Sequence, residues 1–115
     1  MLASNRGQSG DSWTKWNWYR QVRPRFGPWH RVELTFTSDP SAHKLVRFVD
    51  EQENLLELHG MNFGYEGGTA GEIVETLVGE GFNRAKVSAV VFNSSGRVQY
   101  PQTIERSAGP LTLVR

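Results

Sequence analysis

Six glycines bracket a short apolar stretch between residues 63 and 82, and they limit the architecture of the chain more than any other feature. Gly64, Gly67, Gly68 and Gly71 precede Ile73, Val74, Leu77 and Val78, while Gly79 and Gly81 follow them. The aliphatic residues fall at the spacing of one helical face. Glycine admits the backbone conformations that turn a chain into and out of a helix. The pattern predicts a helix over 69–80, capped by Thr69, with Phe82 packing back onto whatever the helix covers. A one-sided helix of about three turns cannot form a core alone, so the rest of the chain has to supply an opposing layer.

That layer reads as a sheet. Val32, Leu34 and Phe36 alternate with Glu33, Thr35 and Thr37, the period of a half-buried strand. Residues 44–50 admit two readings. With Asp39 as a cap and Pro40 in the first turn, Ala42, Leu45, Val46 and Val49 would follow helical spacing. Alternatively, Val46, Phe48 and Val49 are β-formers, the run 50–54 is turn-like, and 55–58 resumes an apolar pattern, which makes a hairpin. The hairpin is preferred. The β-branched run 86–92 is expected as a strand, 93–96 as a tight turn, 97–100 as the returning partner, and 111–114 as a short edge strand. Residues 1–12, rich in Ser, Gly, Asn and Gln, are expected as a flexible N-terminal tail. Residues 13–115 are expected as a single α+β domain: a mainly antiparallel sheet of about five strands with one principal helix packed on one face. A chain of 115 residues suits one such domain with a core of its own. No internal repeat is visible.

Ahead of the predicted helix, the segment Met61-Asn62-Phe63-Gly64-Tyr65-Glu66-Gly67-Gly68-Thr69 resembles the aromatic-Gly-Tyr-Gly-Gly-Thr/Ser-Gly-Pro turn found before a helix in several small, uncharacterised prokaryotic and phage domains. Glu66 is an additional residue within that pattern, and Ala70-Gly71 stands where Gly-Pro would be. The resemblance implies a strand, turn, helix arrangement and a prokaryotic or phage setting, and brings no activity with it. A glycine-rich turn feeding a helix also suits a bound phosphate. Here, however, no lysine or arginine lies between Leu55 and Phe82, and Glu66, Glu72 and Glu75 would repel an anion. Neither the P-loop spacing nor the dinucleotide fingerprint is met.

All four tryptophans, Trp13, Trp16, Trp18 and Trp29, lie within seventeen residues that also hold Lys15, Tyr19, Arg20, Arg23, Arg25 and Phe26. Tryptophan, tyrosine and arginine dominate binding hot spots, because each offers a large flat surface with a polar handle. They are also good core residues. Over 13–22, Trp16, Trp18 and Val22 share a face in a strand, while Trp13, Trp16 and Tyr19 recur as on a helix capped by Asp11 or Ser12. Extended structure is preferred on β-propensity. Pro24 and Gly27-Pro28 then impose a loop over 23–28.

The net charge of +1 hides three blocks. Residues 1–31 carry six cations against Asp11, residues 32–80 carry ten carboxylates against Lys44 and Arg47, and residues 81–115 carry five cations against Glu105. Such asymmetry suggests a partner-directed surface. Equally, the basic ends could neutralise the acidic middle within one fold.

Chemistry-bearing constellations are sparse. The chain has no cysteine, which excludes disulfides, thiolate metal sites and a cysteine nucleophile. His30, His43 and His59 lie in separate segments without metal-ligand spacing, although a hairpin could bring His43 and His59 together. No nucleophile elbow or distinguishable acid and base pair of carboxylates is present, and no apolar run is long enough to span a membrane. The expected function is therefore non-catalytic, with no cofactor and no metal: a small cytoplasmic domain that binds a macromolecule, as a protein-interaction accessory, inhibitor or regulator. Its expected binding residues are Trp13, Trp16, Trp18, Tyr19, Arg20, Arg23, Arg25 and Trp29. A protein partner is favoured. Single-stranded nucleic acid is the alternative, with tryptophans stacking on bases and arginines on phosphates; the acidic middle block weighs against it. Exposed sheet edges also admit a homodimer.

Overall fold

The computed structural model describes residues 1–38 and 44–106. Along the chain run β1 (Leu2–Ser4), α1 (Ser12–Val22), a short 3-10 turn (Arg23–Arg25), β2 (Trp29–Phe36), β3 (Lys44–Asp50), β4 (Leu55–His59), α2 (Gly68–Gly79), α3 (Arg84–Phe92) and β5 (Gln102–Glu105). The cap expected at Asp39, the turn around Pro40 and the strand expected over 111–114 lie outside the described residues.

The strands form one mixed sheet in the order β1-β4-β3-β2-β5. β1 runs parallel to β4, and every other pairing is antiparallel. The alternating strand around residues 32–36 and the hairpin over 44–59 form as the sequence predicts. Asp50 organises the hairpin turn. Its buried carboxylate accepts the backbone N–H groups of Gly27, Gln52 and Asn54 and the side-chain amide of Asn54, at 2.9–3.2 Å. Burial alone would raise its pKa, but these donors outweigh it and hold the carboxyl below its ordinary value.

Strand alternation sends Val32 and Leu34, Val46 and Phe48, Leu56 and Leu58, and Ile104 to one face of the sheet. There they join the apolar residues of the helices in a single core. α2 contributes Ala70, Ile73, Val74 and Leu77, the face its spacing predicts. Its start differs slightly, because Gly67 is the N-cap and no side chain caps the helix. The opposite face of the sheet carries a charge ladder. Arg47 lies between Glu33 at 3.0 Å and Glu57 at 3.1 Å, and Arg31 reaches Glu33 and Glu53, each at 3.2 Å.

Three expectations are corrected. The sheet packs against three helices, not one principal helix. Residues 12–22 are helical rather than extended, because Asp11 accepts the N–H of Thr14 at 3.0 Å and caps α1, while Trp16, Tyr19 and Val22 bury one helical face. Residues 84–92 are also helical rather than a strand. Asn83 caps α3 by accepting the N–H of Lys86 at 3.0 Å, and Val87 and Val91, one turn apart, enter the core. Consequently 97–100 is no returning strand, and β2 pairs instead with β5.

The N-terminal stretch departs from the expected flexible tail as well. Leu2, Ala3 and Ser4 pair with Leu55, Leu56 and Glu57. Just beyond them, the Asn5 side chain accepts the His59 N–H at 2.6 Å and donates to the His59 carbonyl at 3.3 Å. A residue that reads as tail from its polarity is thus the clamp that continues the ladder.

Candidate functional site at the exposed end of the first helix

The aromatic and basic segment divides into a buried part and an exposed part. In the buried part, Trp29 is fully enclosed and donates its indole N–H to the Tyr19 hydroxyl at 2.9 Å. Tyr19 Oη donates onward to Glu80 at 3.2 Å. Arg23 makes two parallel bonds of 2.9 Å to the Glu80 carboxylate, holds the carbonyls of Phe26 and Gly27, and lies 4.3 Å above the Trp29 ring. Burial pushes the Tyr19 hydroxyl well above its ordinary pKa. The Arg23 hydrogen bonds hold the Glu80 carboxyl below its own. These residues are spent on joining α1, β2 and the end of α2; Trp29 and Tyr19 are buried, and Arg23, only partly exposed, is committed to Glu80.

Trp18 is half-buried against the same core. Arg20 and Arg25 remain exposed, Arg20 resting on the Asn17 side chain at 2.8 Å and Arg25 near the Met1 sulfur at 3.9 Å. Of the expected phosphate contacts, then, only these two arginines stand at the surface.

The exposed part is the first turn of α1. Trp13 is 68% exposed, whereas Trp16, one turn later, is 5% exposed and donates its indole N–H to Glu72 at 3.0 Å. Trp13, Trp16 and Arg20 from α1 face Glu72, Glu75 and Thr76 from α2 across an open cleft of about 280 Å³. This volume admits one or two side chains rather than a bound small molecule. Glu75 is already paired with Arg84 at 2.8 Å, and the Arg84 hydrogen bonds hold its carboxyl below the ordinary value. The cleft therefore presents an aromatic plate beside two carboxylates, with Arg20 on its rim. The α2 residues of this cleft are not among the residues the sequence marks for binding, where Glu72 and Glu75 figure only as charges that would repel an anion. The one signal that could have joined them to Trp13 is the helical reading of 12–22.

Ion pairs account for much of the charge asymmetry. Arg23–Glu80, Arg31–Glu53, Arg84–Glu75 and Arg106–Glu51 each link a basic end block to the acidic middle. Of the two histidines a hairpin could bring together, His43 lies outside the described residues. His59 is buried, with its Nε2 at 3.5 Å from Glu57 and no hydrogen-bond partner on either ring nitrogen. Among the described residues, no group of three or more His, Asp or Glu side chains is placed to hold a metal, and no helix is long and apolar enough to cross a membrane.

No protein-family model, characterised protein or solved structure matches the chain.

Proposed function

We propose that this protein is a non-catalytic protein-binding domain whose contact surface is the cleft between α1 and α2, with Trp13 as its anchor. The observation that carries this reading is the 68% exposure of Trp13 beside the carboxylates of Glu72 and Glu75. An exposed indole loses much unfavourable contact with water when a partner covers it, and its face attracts a cation. A lysine or arginine of the partner, laid on Trp13 with its charge toward Glu72 and Glu75, satisfies both parts of the cleft. The fit to nucleic acid is poorer. A phosphate backbone entering the cleft would meet the two glutamates, and Arg23 is committed to Glu80.

The test is affinity capture from the source cell with the wild-type protein and with Trp13→Ala, each with and without nuclease. The reading expects a specific protein retained by the wild type after nuclease and lost by the variant, with affinity reduced by about 2 kcal/mol or more and thermal unfolding unchanged. Retention that nuclease abolishes would instead support the nucleic-acid alternative. Equal capture by both proteins would remove Trp13 from the interface.

A further inference from the structure

Among the described residues, β5 forms one edge of the sheet. The Arg106 N–H donates to the His30 carbonyl at 3.0 Å, and in an antiparallel ladder the direction of hydrogen bonding alternates residue by residue. Residues 102 and 104 therefore bond inward to β2, while the N–H and C=O groups of Thr103 and Glu105 point out of the sheet. No described residue takes up those outward groups. Alongside them, Lys86, Ala89 and Val90 of α3 and Thr103, Ile104 and Glu105 of β5 line an open cleft of about 500 Å³, larger than the one at Trp13. A strand edge unpaired among the described residues, beside a cleft of mixed polar and apolar lining, is a template for strand addition.

We propose that this edge pairs with the same edge of a second copy, antiparallel, about a twofold axis passing through Ile104. The register follows from the residues. With Ile104 opposite its symmetry mate, Thr103 of each copy faces Glu105 of the other. All the outward N–H and C=O groups of 103 and 105 then close into hydrogen bonds, and the two Ile104 side chains meet on the face where the α3 clefts open. A shift toward the N-terminus sets Pro101, which has no N–H, opposite Glu105. A shift toward the C-terminus sets Glu105 against Glu105, a like-charge pair. The central register avoids both, so the strand is self-complementary in one way. The contact is short, which places the dimer among weak and transient interfaces.

The test exploits the absence of cysteine from the chain. Directly opposed residues of a hydrogen-bonded pair lie about 5.5 Å apart between Cα atoms, within disulfide reach, whereas Thr103 and its own mate would be roughly 8 Å apart by the strand rise. Thr103→Cys and Glu105→Cys, both at exposed positions, should each cross-link poorly alone. Mixed and oxidised, they should give mainly the 103–105 disulfide, well beyond the half expected of random pairing. Sedimentation of the wild-type full chain should show a dimer growing with concentration, and hydrogen exchange should show the amides of Thr103 and Glu105 becoming more protected in parallel. A chain that stays monomeric at all concentrations overturns the proposal. So does protection that ignores concentration, which would mean that the chain covers its own edge. A dimer without preferential 103–105 cross-linking overturns it equally, since the copies then meet elsewhere.

Discussion

Trp13 and Trp16 stand about one helical turn apart on α1, yet one is 68% exposed and the other 5%. Farther along the same segment, Tyr19 and Arg23 are locked onto Glu80, and Trp29 onto Tyr19. The two ends of this segment share a composition and differ in surroundings. At the buried end, the polar handles of Trp29, Tyr19 and Arg23 all have partners inside the protein: the Trp29 indole on Tyr19, the Tyr19 hydroxyl on Glu80, and the Arg23 guanidinium on Glu80 and two carbonyls. At the exposed end, Trp13 has none of these ties. A cluster of hot-spot residue types is therefore no guide to a contact surface until each polar handle has been followed to its partner.

Truncation should separate the two ends most sharply. Trp29→Ala should lower stability by about 3–5 kcal/mol, because it opens a cavity in the core, removes the donor to Tyr19 and uncovers the guanidinium of Arg23. Trp13→Ala should stay within about 0.5 kcal/mol of wild type. Denaturant unfolding of both variants checks the contrast, and equal losses would break it.

The polar knot comes next. Glu80→Gln keeps the shape of the side chain but removes the charge that Arg23 brackets, and should cost about 1–3 kcal/mol in the same assay. An unchanged midpoint would make the knot incidental.

Acid should act through the same region. The Glu80 carboxyl, lowered first by Arg23, and the Asp50 carboxyl, lowered by backbone donors against the effect of burial, both titrate below their ordinary values in the folded protein. A carboxylate depressed by folding adds stability above its unfolded pKa of about 4, and that stability is lost as pH falls through the lower folded value. Melting temperature should therefore decline progressively as pH falls below about 4. Asp50→Asn should lower the plateau at neutral pH and flatten the acid limb; an acid limb as steep as that of wild type would show that Asp50 does not drive it.

A small effect of the opposite sign is expected on the other face of the sheet. His59→Leu removes two buried ring nitrogens that have no hydrogen-bond partner while the Asn5 clamp on its backbone remains. Stability should be unchanged or raised by up to about 1 kcal/mol; a clear loss would mean that the imidazole makes an interaction of its own.

Where periodicity and propensity agree, the fold was legible. The alternation that buries Val32 and Leu34, the paired apolar runs of the hairpin, and the glycine-bounded face of Ile73, Val74, Leu77 and Val78 appear in the structure, whereas Phe36 at the end of β2 is exposed. Propensity misled where a cap and a buried helical face outweighed it. Lys86, Val87, Val90 and Val91 look like strand residues, but Asn83 supplies the first-turn acceptor and the one-turn spacing of Val87 and Val91 matches the core. The same competition decided α1, where Asp11 and the three-residue recurrence of Trp16, Tyr19 and Val22 prevailed over the β-preference of tryptophan and tyrosine. β1 was hidden for another reason, since its pairing depends on β4, far away in sequence. The candidate cleft was only half visible, as Trp13 and Arg20 belonged to the expected set whereas Glu72, Glu75 and Thr76 meet them only through packing of α1 beside α2.

The division of the tryptophans can be measured directly by acrylamide quenching of the wild type and of Trp13→Phe. Emission from the wild type should contain a readily quenched component that disappears in the variant, leaving the slowly quenched emission of Trp16 and Trp29 and the intermediate emission of half-buried Trp18 in a protein that unfolds at the same denaturant midpoint. A readily quenched component of the same size in Trp13→Phe would contradict the account, because another tryptophan would then be the exposed one and the cleft would lose its anchor.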